Sequence, residues 1–161
     1  MPYPDFEEFI AALNTLKVRY LVVGAHALAH HARPRATKDL DVLLDATPAN
    51  ARKVLQALRA FLGTDLGYTI DDLTNPEWFI QLGVAPVRID LLTQLMGCPK
   101  FATLWKNRVA AQFGNVPANF LGFEDLMIAK QAAGRPQDLA DLQELQKVKK
   151  RTRRKSDKGP T

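Results

Sequence analysis

The chain alternates between two patterns of hydrophobic residues, one with helical spacing and one typical of buried strands. In the first pattern apolar side chains recur every three or four residues, as Phe6, Phe9 and Leu13 do, so that they share one face of a helix. Thr47 and Pro48 are residue types that begin a helix. The spacing predicts helices at residues 4–16, 25–32, 48–62, 100–107, 123–133 and 136–149.

Shorter apolar or alternating runs have the length and composition of β-strands. They predict strands at residues 17–23, 39–44, 77–82, 87–92, 108–113 and 116–121. Residues 83–86 and Gly114-Asn115 supply turns, which make hairpins of the last two pairs. Residues 67–76 form a connection with room for one helical turn. Strands interrupted by helices, together with hairpins, predict an α+β (mixed α/β) domain, in which helices flank a mixed sheet and two helices close the chain.

Length and composition favour one globular domain. The chain has 161 residues, 47% of them hydrophobic, and no apolar run approaches the roughly 20 residues of a membrane span. Its first residues lack the basic and then apolar pattern of a signal peptide, and Cys98 is the one cysteine. These features predict a cytoplasmic protein that has no membrane partner.

The positive charge is concentrated towards the end of the chain. From Lys147 onward there are eight Lys or Arg residues and one acid, whereas the rest of the chain has a net charge of −2. Because residues 149–161 have no apolar side chains to bury, we expect them to form a disordered basic tail after a domain at residues 1–148. Such a tail can contact RNA through its phosphates, or it can simply keep the protein soluble.

Three aspartates provide the candidate chemistry. Side chains two apart on a strand point the same way, so Asp39 and Asp41 would face away from the core together. Asp90 lies in the second arm of the first hairpin, on the opposite face from Ile89. Neighbouring carboxylates repel one another unless a cation lies between them, and hard oxygen ligands suit Mg²⁺ or Mn²⁺. The pattern therefore predicts a divalent metal site.

Gly24-Ala25, the short helix after it and Asp39-Leu40-Asp41 together resemble the signature of the nucleotidyltransferase superfamily related to DNA polymerase β. The form Arg35-x-Thr37-x-Asp39-x-Asp41 is similar to that of a bacterial subgroup of small proteins, which in turn resembles the nucleotidyltransferase toxins of toxin–antitoxin systems. The closing segment, residues 130–142, also matches that subgroup. The resemblance implies a nucleotidyltransferase-like mixed sheet flanked by helices.

The same resemblance implies an enzyme that moves a nucleotide from an NTP to a hydroxyl group, with RNA as one such acceptor. It assigns the metal ions to three carboxylates, which here are Asp39, Asp41 and Asp90. It also places Lys130, in the closing helices, among the catalytic residues. Contacts with the nucleotide are assigned to Gly24, Ala25, Arg35 and Asp138.

Two other functions stay open. Ala25 stands where the superfamily has Gly or Ser and supplies no hydroxyl to a phosphate. This departure favours a module that keeps the fold, has lost catalysis and binds RNA or a protein partner. The likeness to toxins favours a component that an antitoxin-like protein partner holds in check. His26 and His30 are four apart on a predicted helix, but no cysteine or further histidine completes a zinc site with them.

Overall fold

A mixed β-sheet positions the candidate residues. The computed structural model describes residues 3–34, 37–83 and 87–159, and the elements given below lie within them. In chain order the strands are β1 (Tyr20–Val23), β2 (Asp39–Leu44), β3 (Phe79–Leu82), β4 (Arg88–Leu92), β5 (Val109–Phe113) and β6 (Val116–Phe120). They form one sheet in the order β3-β4-β2-β1-β6-β5. The predicted strands are all present, most of them shortened by a residue or more at an end.

The pairing of the strands brings two distant acids together. β2 lies inside the sheet, antiparallel to β1 and parallel to β4. β1 in turn runs parallel to β6, so the sheet is mixed, as predicted. β3 with β4 and β5 with β6 form the two predicted hairpins. In the register of β2 and β4, Asp41 is directly opposite Asp90.

Seven helices accompany the sheet in the described ranges. They are α1 (Pro4–Thr15), α2 (Gly24–His31), α3 (Pro48–Leu62), α4 (Ile70–Thr74), α5 (Phe101–Lys106), α6 (Phe123–Ala133) and α7 (Pro136–Asp157). The hydrophobic spacing predicts six of them, and α4 is the single turn for which residues 67–76 have room. At the start of α3, the Thr47 hydroxyl accepts a hydrogen bond from the backbone N–H of Asn50, and Gly63, with a φ of 72°, ends the helix.

Burial along β2 follows the predicted alternation. Leu40 and Val42 are fully buried in the core, whereas Asp39 and Asp41 are only partly buried. All four residues of β1 are buried, so the sheet is covered on both faces at that strand. Each large apolar side chain buried in this way contributes about 1.5–3 kcal/mol. The core therefore holds the backbone beneath the acids rigidly.

The last helix extends further than its sequence pattern predicts. The predicted end is residue 149, whereas α7 continues to Asp157. Its first half is anchored by the buried Leu142 and Leu145. Lys and Arg then continue it because both are good helix formers, and no Gly or Pro follows until Gly159. The basic segment is thus helical as far as Asp157, and the division of the chain at residue 148 stays a prediction. Within the described ranges, none of the helices has both the length and the apolar character needed to cross a membrane.

Candidate functional site

The carboxylates of Asp41 and Asp90 lie next to each other at the centre of the site. They come from adjacent parallel strands in register, and their side chains are within hydrogen-bonding reach. The amide of Gln81, on the neighbouring strand β3, donates a hydrogen bond of 3.1 Å to Oδ1 of Asp90. This bond holds the Asp90 side chain in place beside Asp41.

The pair is electrostatically unfavourable at neutral pH. Burial raises the pKa of Asp41 to about 6, with further contributions from Asp90 and Asp39, whereas Lys130 acts in the opposite direction. Charged carboxylates without a counterion destabilise one another, and a divalent cation removes that cost. The all-oxygen donor set is of the kind that Mg²⁺ and Mn²⁺ prefer. The residues present therefore fit such an ion.

Asp39 has a different neighbour. Its side chain is 43% exposed, and Oδ1 forms an ion pair with Nε of Arg88 at 3.5 Å. This buried Nε has no hydrogen-bond partner within the described part of the chain. In that part of the chain no group of three His, Cys, Asp or Glu side chains has an arrangement that could hold a metal ion. The predicted set of three carboxylates is therefore not assembled here, and the role of Asp39 at the metal stays a prediction.

Gly24 brings the main chain close to the acids. It has a φ of 66°, and a Cβ built on it would overlap Oδ2 of Asp41. Only glycine avoids both the strained backbone and this overlap. Gly24 and Ala25 form the first residues of α2, where the backbone N–H groups are free of helical partners and favour an anion.

A buried ionic cluster forms the opposite side of the site, where α6 meets α7. Lys130 is only 7% exposed, and its Nζ lies 2.8 Å from Oδ2 of Asp141 and 3.5 Å from Oδ1 of Asp138. Arg135 Nε donates to Oδ2 of Asp138 at 2.6 Å, and this hydrogen bond holds the pKa of Asp138 below its usual range in spite of burial. Gln137 donates to Oδ1 of Asp141 at 2.9 Å. The cluster fixes the position of the Lys130 ammonium group.

The three aspartates of the strands and the ionic cluster around Lys130 face one cavity of about 520 Å³. Seven of the predicted site residues line it: Gly24, Ala25, Asp39, Asp41, Asp90, Lys130 and Asp138. The eighth, Arg35, lies outside the described residues. The cavity therefore gathers residues from five elements, α2, β2, β4, α6 and α7, that are up to 114 positions apart in the chain.

The sequence alone did not point to Asp141 or Gln81, two polar residues of the site. Asp141 makes the shorter contact with Lys130, and its position three residues after Asp138 on one helix was a usable signal. Gln81 supports Asp90, and only the register of the β3–β4 hairpin shows that it faces that acid.

The histidines of α2 pack rather than form a metal site. The His26 ring lies between Phe6 and Phe113, with ring centroids 5.7 and 5.0 Å away, and burial lowers its pKa to about 4. The His30 ring stacks on Phe120 with a centroid distance of 4.6 Å. These contacts are those of aromatic packing.

Comparison with solved structures defines the class of fold. The chain is similar to a protein from Thermotoga maritima that carries a provisional assignment as a nucleotidyltransferase, with a TM-score of 0.55, 15% sequence identity and 96% of each chain covered. At this identity the similarity shows the fold alone, which is the predicted nucleotidyltransferase fold. The family model described as "Nucleotidyltransferase of unknown function (DUF6036)" matches residues 5–152, so the chain belongs to this nucleotidyltransferase family. The predicted superfamily is thereby confirmed. No curated protein matches the sequence.

Proposed function

We propose that the protein is a metal-dependent nucleotidyltransferase that moves a nucleotide from an NTP to a hydroxyl group. One observation carries the proposal: the Asp41–Asp90 pair lies in the same cavity as the N-terminus of α2 and the buried Lys130. Nucleotidyl transfer needs few covalent contributions from protein. It needs the phosphates held in line with the attacking oxygen, and it needs their charge neutralised.

Asp41 and Asp90 are the proposed holders of Mg²⁺ or Mn²⁺. Asp39, which faces the same side of β2 as Asp41, is the third proposed ligand, and to reach the ion it would have to leave Arg88. When bound, such an ion supplies charge neutralisation at the phosphates. The raised pKa of Asp41 supports this assignment because a cation favours the ionised carboxylate.

The remaining roles follow from position. Backbone N–H groups at Gly24 and Ala25 would bind phosphate oxygens, and the Lys130 ammonium would balance their charge. Asp138 keeps Lys130 in place in this scheme, and Arg35 is a further proposed phosphate contact. In the reaction the acceptor oxygen forms a bond to the α-phosphorus, the bond to the bridging oxygen breaks, and pyrophosphate leaves. The hydroxyl proton passes to a carboxylate or to water.

Label transfer from each radioactive NTP to total RNA, with Mg²⁺ present, tests the proposal. Asp41→Asn should lower the transfer at least about 100-fold. Asp45→Asn, just beyond the end of the same strand and outside the cavity lining, should transfer normally. Transfer that survives Asp41→Asn, or the absence of both transfer and any thermal shift with Mg-NTP, would contradict the proposal.

A second candidate is a non-catalytic module with the same fold. The specific observation in its favour is that Ala25, which lines the cavity, stands where the superfamily pattern has Gly or Ser. An Ala25→Ser variant discriminates the two. Transfer by the natural chain supports the enzyme, whereas Mg-NTP binding without transfer, unchanged by Ala25→Ser, supports the module. A toxin-like role with an antitoxin-like partner stays a prediction.

A further inference from the structure

Six of the eight basic residues from Lys147 onward lie on one face of α7, and the last of the six is at its C-cap. At 100° per residue, six basic side chains fall within an arc of about 140° of the helix surface. We call this face the basic stripe, and its residues are Lys147, Lys150, Arg151, Arg154, Lys155 and Lys158. Consecutive members are three or four residues apart or adjacent, so neighbours on the face are about 5–6 Å apart.

The stripe is exposed and almost free of acids. All six residues are exposed to solvent. Within the described ranges, Lys147 is the one member that forms an ion pair, at 3.3 Å to Glu144 on the same helix. Lys149 and Arg153 lie on the other side of α7, and Lys149 contacts Glu124 at 3.2 Å. That other side continues the line of Leu142 and Leu145, which pack against the protein.

The composition of the stripe identifies its partner as a polyanion. After Leu145 the only large apolar residue of α7 is Val148, so this part of the helix lacks the apolar face that an interfacial membrane helix needs. An acidic protein surface would normally add apolar anchors to its charges, and the stripe offers none. A row of cations with regular spacing suits the phosphates of a polynucleotide.

The stripe also leads to the candidate site. Gln137, which lines the cavity, falls on the edge of the same helix face, and Asp138 and Asp141 belong to the same helix. Gln137 and Arg151 are about 21 Å apart along the axis. A strand bound along the stripe can therefore extend from α7 to the cavity.

We propose that the basic stripe binds the sugar–phosphate backbone of a single-stranded polynucleotide, whose terminal hydroxyl is the acceptor. The second half of this statement rests on the proposed function. The first half, binding along α7, is independent of it and can be measured without NTP or metal.

Two matched double variants test the binding. Arg151→Gln/Lys155→Gln removes one Arg and one Lys from the stripe, and Arg153→Gln/Lys149→Gln removes the same charges from the other side of the helix. Their affinity for a fluorescein-labelled single-stranded RNA of about 20 nucleotides is measured by anisotropy in EDTA over a range of salt concentrations. The stripe variant should bind about 20-fold more weakly at 0.1 M salt, with the slope of log K against log salt reduced by about 1.4. The control variant should lose less than about threefold in RNA affinity. Circular dichroism should show the same helix content in both double variants.

Three further arms use other polyanions. The stripe variant should lose affinity for single-stranded DNA of the same sequence by the same factor as for RNA, because both polymers present the same phosphate groups. If the two double variants lose RNA affinity equally, the proposal is overturned. It is also overturned by stripe-dependent binding of poly-glutamate, or of vesicles of phosphatidylserine and phosphatidylcholine, that is as tight as RNA binding.

Transfer assays separate this proposal from the one on which it rests. If transfer to RNA occurs, the stripe variant should raise the KM for RNA and leave the Mg-NTP thermal shift unchanged. Transfer with the same acceptor KM in both double variants overturns the acceptor role of the stripe. Stripe-dependent RNA binding with neither transfer nor any thermal shift with Mg-NTP overturns the proposed function and leaves the binding surface standing.

Discussion

Asp41 on β2 lies directly beside Asp90 on β4, although the two residues are 49 positions apart in the chain. The parallel register of the two strands creates this contact, and the burial of Asp41 makes it costly. A fold that keeps two carboxylates together in this way sacrifices stability at one point. Such local costs are typical of functional sites.

Asp90→Asn should stabilise the metal-free protein. The substitution removes a negative charge that contributes to the raised pKa of Asp41, and it keeps an oxygen that can still accept the hydrogen bond from Gln81. We expect a gain of about 0.5–1 kcal/mol at pH 7, measured by urea denaturation in EDTA. The same variant should lose the increase in Tm that Mg²⁺ produces in the natural chain. A variant that is less stable in EDTA, yet still stabilised by Mg²⁺, would argue against the pair as the metal site.

Gly24→Ala should damage both stability and the site. The backbone at Gly24 has a φ of 66°, which costs an alanine about 1–2 kcal/mol, and the added methyl group displaces the Asp41 carboxylate. Gly63→Ala is the matched control, because Gly63 has a φ of 72° and a Cβ there would meet nothing within 4 Å. Both variants should lose stability in urea denaturation. Only Gly24→Ala should also lose the thermal shift with Mg-NTP, and equal shifts in the two variants would refute the close approach at Gly24.

Lys130→Met should be strongly destabilising. It leaves Asp141 and Asp138 buried without the ammonium group that lies between them, and the loss of one partner from a buried ionic cluster costs about 3–5 kcal/mol. Lys53→Met, at an exposed position of α3, should change the free energy of unfolding by less than about 0.5 kcal/mol. Urea denaturation of both variants provides the measurement. A Lys130 variant as stable as the control would show that the cluster does not contribute to folding.

His26 should make stability depend on pH between about 4 and 6.5. Burial lowers its pKa to about 4 from the ordinary 6.5, so in this range the unfolded chain binds a proton that the folded chain does not. Its contribution to stability is complete above pH 6.5 and is lost as the pH falls towards 4. From pH 7 to pH 5 the natural chain should lose roughly 1–2 kcal/mol more than His26→Leu, after allowance for partial exposure. Parallel stability curves for the two proteins would contradict the shift.

Much of the fold was predictable because it depends on local pattern. The spacing of Phe6, Phe9 and Leu13 requires a helix that buries one face, and the bounds of β2 follow from the alternation around Asp39 and Asp41. The extent of α7 was not predictable in the same way. The end of α7 lies in a segment without buried side chains, so it is set by the helix propensity of the residues there. The spacing of hydrophobic residues carries no information on that propensity.

The candidate site was predictable only as a list of residues. Alternation shows that Asp39 and Asp41 face the same way, but it does not show that Arg88 lies beside the first and Asp90 beside the second. Similarly, a lysine on the apolar side of α6 indicates a buried partner, but Asp141 as the nearest one depends on how α7 packs.

The sequence by itself indicated the helices and strands, the nucleotidyltransferase superfamily and the acids that carry the candidate chemistry. The helices, the strands and the shared direction of Asp39 and Asp41 follow from residue types and spacings that act within about one turn of helix or one strand, whereas the superfamily was indicated by the resemblance of several motifs along the chain. The tertiary structure alone decided the register of β2 against β4, the ion pair between Asp39 and Arg88 and the direction of the basic stripe along α7. Each of these depends on which residues from distant parts of the chain share a surface, and the packing of the whole core sets that geometry.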